Sequence, residues 1–215
     1  GAIMSVFYMK FNKLKETAEH ILSEASGVET EIPIDIDLLA ENLEFTIIPV
    51  ANFKEQITRE AFLSPNTKEI FVDQDLYCNL KIENRYRFSI AHEISHYYLH
   101  LDYYKSNIES GISIDEWIKI YSALPDDDLK LFEYQANVVA GCILIPDSHL
   151  DIYFPEALKI FKNKIDQAKE NGIDRNTYID FVLDGIAQKI SQKFNVSNEA
   201  MIYRFKDYKY LDQIP

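Results

Sequence analysis

The chain has 215 residues, 47% of them hydrophobic and 27% charged, enough apolar material for one large domain or two small ones. Its 22 Lys and Arg against 35 Asp and Glu leave a formal net charge of −13, a surface that repels nucleic-acid phosphates and anionic lipid. No apolar run reaches the roughly 18 residues of a membrane span, and two cysteines make no disulfide framework. A cytoplasmic protein with neither membrane nor nucleic acid as partner is therefore expected.

Gly1-Ala2-Ile3 reads as a tag remnant before Met4, and no signal peptide is expected. Residues 8–26 form an amphipathic helix, with Phe11, Leu14, Ala18, Ile21 and Leu22 on one face. Asp35 caps a short helix carrying Leu38, Leu39 and Leu43. Phe45 to Ile48 is β-prone and ends at Pro49. The runs 61–63 and 69–72 flank Ser64-Pro65-Asn66-Thr67-Lys68, which predicts a hairpin. A helix follows from Asn84 to about Leu101, then a polar connection over 102–125 with a short helix near 114–123. Pro125 and three aspartates open another helix, which runs to Ile145 and stops at Pro146. Three or four helices are expected from Asp147 onward, with no strand and no internal repeat.

The segment that carries chemistry is His92-Glu93-Ile94-Ser95-His96. Residues four apart on a helix lie one turn apart and about 40° round the axis, so both imidazoles reach one metal ion from one face. Glu93 sits about 100° round from His92, too far to be a ligand but near enough to take a proton from a metal-bound water. A site of this type needs a third protein ligand. Glu133 is the candidate, because its helix neighbours Phe132, Ala136, Val139 and Ala140 are apolar and a buried carboxylate calls for a compensating cation. The alternative is that Glu133 faces solvent beside the apolar stripe. Asn137, four residues on, is placed to support a ligand.

Arg85 to His100, which contains this motif, resembles the signature of the ImmA/IrrE family of metallo-endopeptidases. So does Glu133-Tyr134-Gln135-Ala136-Asn137 running on to Ile143-Leu144-Ile145-Pro146. The resemblance implies that His92, His96 and Glu133 bind Zn2+ and that Glu93 is the general base. It also implies hydrolysis of a peptide bond in a protein substrate, a transcriptional repressor of the helix-turn-helix Xre type, often in a mobile element. Ser95 and Val139 replace the family's usual Gly and Phe, and the connection between the two helices is long. Neither substitution touches a ligand.

We therefore expect an α+β fold, a small mainly antiparallel sheet packed on the H-E-x-x-H helix in a zincin-like core, with a helical C-terminal lobe. The expected divisions are an N-terminal helix and tag remnant at 1–30, the metallopeptidase core at 31–150 and the helical lobe at 151–215. His100 lies about 12 Å along the axis from His92, so one metal cannot hold both; it reads as a supporting or packing residue. Cys142 falls on the far side of its helix from Glu133 and reads as a buried thiol. No residue in the sequence declares itself the oxyanion donor; Tyr97, Tyr98, Tyr103 and Tyr104 are near, but tyrosines at such spacings pack.

A rival reading starts from Ile186 to Ala200, which looks like a helix-turn-helix with Ser197 capping its second helix. Five Lys/Arg against two Asp/Glu from Gln188 to Tyr210 make a local charge of +3, so a DNA-binding or partner-binding regulator with a structural or inactive metal site is the alternative.

Overall fold

The computed structural model describes residues 7–57, 59–64, 68–107 and 111–215. The chain divides into two compact units, Gly1–Ile143 and Leu144–Pro215. No helix among the described residues is long and apolar enough to cross a membrane.

In the first unit, α1 (Phe11–Glu24) buries Leu14, Ala18, Ile21 and Leu22, the stripe expected from its 3.6-residue period. α2 (Ile36–Asn42) starts at Asp35, whose carboxylate accepts from the backbone N–H groups of Asp37 and Leu38 at 3.1 and 3.0 Å. Three strands follow: β1 (Thr46–Val50), β2 (Ala61–Leu63) and β3 (Glu69–Asp73), with the short helix α3 (Phe53–Ile57) between the first two.

The sheet has the order β1-β3-β2. β2 and β3 pair antiparallel, as the hairpin signal predicts; of its turn, residues 65–67 lie outside the described residues. β1 pairs parallel with β3, Thr46 opposite Glu69 through Val50 opposite Asp73. The α+β class holds, but the sheet is mixed and not mainly antiparallel. The cause is the crossover: the chain leaves β1, makes α3 and β2, and returns between them. Pro49 fits because β1 is an edge strand, where a missing N–H costs no ladder bond.

α4 (Gln74–Cys78) leads to α5 (Glu83–Asn107), which carries the H-E-x-x-H run. α5 packs on β2, whose three residues are all buried. It is tied to α2 and the segment before it by Tyr86, which donates to Asp37 at 2.5 Å, and by Arg87, which donates to the Ile34 carbonyl at 2.6 Å. The expected helix stopped near Leu101; α5 continues through 102–107. Tyr103 and Tyr104 explain the extension, since both are buried against Phe132.

α6 (Ile114–Ser122) begins with a capping box made by Ser113 and Glu116. Its residues Trp117 and Tyr121, four apart, are both buried on one face. α7 (Asp126–Leu144) has three aspartates in its first turn, where the helix dipole favours negative charge. Phe132 on α7 is fully buried, a contribution of about 1.5–3 kcal/mol from area removed from water. Trp117, Tyr121, Phe132, Tyr104 and Phe62 form one aromatic cluster, and this cluster backs the site described below.

The second unit is helical: α8 (Asp147–Glu170), α9 (Arg175–Ile190), α10 (Asn198–Phe205) and α11 (Tyr208–Leu211). α8 and α9 approach closely at Gly185, where a Cβ would lie 2.3 Å from the Phe161 ring. The helix-turn-helix-like stretch is α9, a 3-10 turn over Ser191–Phe194, Asn195 in the left-handed region, and α10 capped by Ser197. Arg204 is buried here, with its guanidinium on Asp147, Asp207 and the Ile145 carbonyl.

Candidate metal centre

α5 presents His92 and His96 one turn apart, and their Nε2 atoms face each other at 2.9 Å. α7 brings Glu133 to the same point. Its Oε2 is 3.2 Å from His92 Nε2, and its Oε1 is 3.9 Å from His96 Nε2. One ligand atom from each of the three residues lies within 4.8 Å of the others. The two imidazoles are buried and Glu133 is half-buried. Of the two readings of Glu133 open in the sequence, the solvent-facing one is excluded by this placement.

The donor set fits a metal. His92 Nδ1 is 2.9 Å from Asn137 Oδ1, and since that oxygen only accepts, the ring hydrogen sits on Nδ1 and Nε2 is left with its lone pair. Two imidazole lone pairs and a carboxylate oxygen then converge on one small volume. Three acceptors so placed repel unless a cation lies among them. Burial disfavours charge on His92, but Glu133 and Glu93 outweigh it and raise its pKa. His96 is held well below the usual histidine range by burial and by the two neighbouring imidazoles, and stays neutral. Glu133 is held below the carboxylate range: burial opposes its charge, and His92, His96 and Arg59 prevail.

Glu93 lies one residue round the helix from His92 and is buried. It does not join the three converging atoms. Its Oε2 accepts from the backbone N–H of Leu63 on β2 at 2.8 Å. Burial, reinforced by the Glu133 charge, raises its pKa above the ordinary carboxylate value. A small cavity of about 10 Å³ opens beside it, lined also by His96, Arg59, Tyr104, Trp117 and Tyr121. That is room for about one water, between a base of raised proton affinity and the His96 imidazole.

Two residues at the site carry no sequence signal. Arg59 Nη1 donates to Glu133 Oε1 at 2.9 Å, and the Tyr121 hydroxyl donates to the same oxygen at 2.7 Å. The Arg59 guanidinium also stacks 4.8 Å over the Tyr121 ring. Together they fix Oε1 of Glu133, the oxygen nearer His96, and leave Oε2 facing His92. Arg59 stands 74 residues from Glu133, a distance no local pattern spans. Tyr121 was detectable only as one of two aromatics on the buried face of α6. Of the nearer tyrosines, Tyr104 lines the cavity, Tyr97 packs on Phe45, Tyr103 packs on Phe132 and Tyr98 donates to Glu24. Asn137 supports His92. His100, 3% exposed, is kept neutral by burial, its pKa lowered to about 4. Cys142 is buried and belongs to no metal-capable group among the described residues.

Comparison with known proteins bears on the same residues. Residues 50–206 match the family profile Peptidase M78, described as the IrrE N-terminal-like domain. The matched span holds both helices that build the centre. No curated protein sequence matches the chain.

Proposed function

The chain belongs to the IrrE N-terminal-like peptidase family, Peptidase M78, and from that premise we propose that it is a zinc-dependent endopeptidase whose ion is held by His92, His96 and Glu133 and whose general base is Glu93. Membership makes it a metallopeptidase acting on protein. The choice of zinc rests on the donors: two imidazole nitrogens and one carboxylate are the set a catalytic zinc site uses, with a fourth position open. The observation that carries the reading is the convergence of those three ligand atoms within 4.8 Å, with Glu93 and His96 lining one cavity.

When bound, the ion supplies Lewis acidity, which makes a coordinated water acidic near neutral pH. Glu93 supports the rest. Its raised proton affinity suits it to take the water's proton as oxygen attacks the scissile carbonyl carbon. The C–N bond then breaks, Glu93 returns the proton to the leaving nitrogen, and a carboxylic acid and an amine result. The Leu63 N–H holds Glu93 in position through this cycle. Arg59 and Tyr121 hold Glu133.

For the substrate we propose a helix-turn-helix repressor of the Xre type, the class the sequence resemblance implies. The charge of −13 suits a basic DNA-binding protein. The test is incubation with the repressor encoded beside the chain's own gene. Wild type with zinc cuts it, a chelator stops the cutting, zinc restores it, and Glu93→Gln lowers the rate by at least about 10²-fold while still binding one zinc. An intact repressor alongside cleavage of other proteins removes the substrate class. Full activity of Glu93→Gln removes the mechanism. A salt-dependent shift of duplex DNA by the chain itself would favour the regulator reading of Ile186 to Ala200.

A further inference from the structure

A chain of three hydrogen bonds runs from the metal centre to the N-terminal segment. His96 Nδ1 is 2.9 Å from His100 Nδ1. His100 Nε2 is 2.9 Å from Gln135 Oε1. Gln135 Nε2 is 2.7 Å from the backbone carbonyl of Phe7. His96, His100 and Gln135 are all buried, Gln135 completely, so water does not substitute at the two inner bonds; Phe7 itself is exposed.

The direction of every bond follows from the last one. A backbone carbonyl only accepts, so Gln135 turns its NH2 to Phe7 and its oxygen to His100. The flipped amide would set two oxygens against each other at 2.7 Å. Gln135 Oε1 also only accepts, so His100 carries its hydrogen on Nε2. Neutral His100 then has a lone pair on Nδ1. The hydrogen between the two rings must come from His96, on its Nδ1. That leaves His96 Nε2 bare on the side where His92 and Glu133 converge.

We propose that His100 and Gln135 are positioning residues that, with the Gln135 amide oriented by the Phe7 carbonyl, lock His96 as the tautomer able to ligate through Nε2. The inference rests on the reading of His92, His96 and Glu133 as the metal centre, but its first consequence holds without metal. Sequence spacing hides the relay: Phe7 and Gln135 are 128 residues apart.

Long-range 1H–15N NMR of the full chain without metal reads which ring nitrogen bears the hydrogen. Wild type shows His96 protonated on Nδ1. Gln135→Leu removes the acceptor for His100 and mixes the two tautomers of His96. Competition against a chromophoric chelator then shows zinc binding weakened about 10–100-fold, the range for partners that orient ligating histidines. A second pair covers the case in which Gln135→Leu does not fold. His100→Gln offers an amide oxygen to His96 and retains most of the affinity, whereas His100→Leu offers none and loses it. Wild-type His96 found with its hydrogen on Nε2 overturns the relay. So does zinc affinity unchanged in both leucine variants, which leaves the metal centre standing. The expected tautomers in a protein that binds no zinc support the relay and remove the metal centre.

Discussion

In the second unit, carboxylates meet cations that the chain itself supplies. Arg204 faces Asp147 and Asp207, and Lys209 lies 3.3 and 2.6 Å from Asp147 and Asp151. Burial works against the Lys209 charge, yet the two aspartates outweigh it and raise its pKa. The Tyr210 hydroxyl lies 3.0 Å from an oxygen of each. In the first unit, His92, His96 and Glu133 bring donor atoms of a ligand set together, and Arg59 meets the group at one oxygen of Glu133, Oε1. The first arrangement is complete in the polypeptide. The second is a group that could hold a metal ion. The difference separates a cluster closed by the chain's own cations from one whose geometry suits an added one.

Breaking the complete cluster has the largest expected effect. Arg204→Met takes a guanidinium that is 2% exposed away from Asp147, Asp207 and the Ile145 carbonyl and lowers stability by about 3 kcal/mol, read by denaturant unfolding. A loss below about 1 kcal/mol would erase the contrast between the clusters.

Acid sharpens it from the other side. His100 has its pKa lowered from 6.5 to about 4 in the folded protein. Below pH 6.5 the unfolded chain takes up a proton there that the folded chain refuses. Stability therefore falls as pH drops from about 6.5 to 4, by up to about 3 kcal/mol from this group. It is fully present above 6.5. His100→Gln should flatten that part of the curve relative to wild type; parallel curves would refute the assignment.

The smallest effect separates ligand support from folding. Asn137 is exposed and holds His92 at 2.9 Å. Asn137→Ala should weaken zinc binding about tenfold and change the stability of the metal-free protein by less than about 0.5 kcal/mol. Equal losses in both would place Asn137 with Arg204, among the residues that maintain the fold.

The pair His92 and His96 was legible from spacing because one helix sets both. Glu133 was legible only as a candidate, a carboxylate among apolar neighbours that could also have faced solvent, and its partners were not legible at all. Arg59 reaches it through a loop before β2, Tyr121 through α6, and Gln135 reaches His100 from the opposite helix. None of these stands at a helical or strand period from what it touches. The parallel pairing of β1 was hidden for the same reason, since it depends on the path of α3 and β2. The polar letters Asp102, Lys105 and Ser106 concealed the last turns of α5, which are helical because Tyr103 and Tyr104 find a buried face.

α5 carries His92, Glu93, His96 and His100, while Glu133 rides on α7. The spacing among the first four is thus a constant of helical geometry. The place of Glu133 beside them depends instead on how α7 lies against α5, and the Phe132 ring, next to Glu133 in the chain and 4.0 Å from that of His100, is one contact between the two helices. A change of side-chain volume at Phe132 would therefore reach the candidate ligand set without altering any of its members.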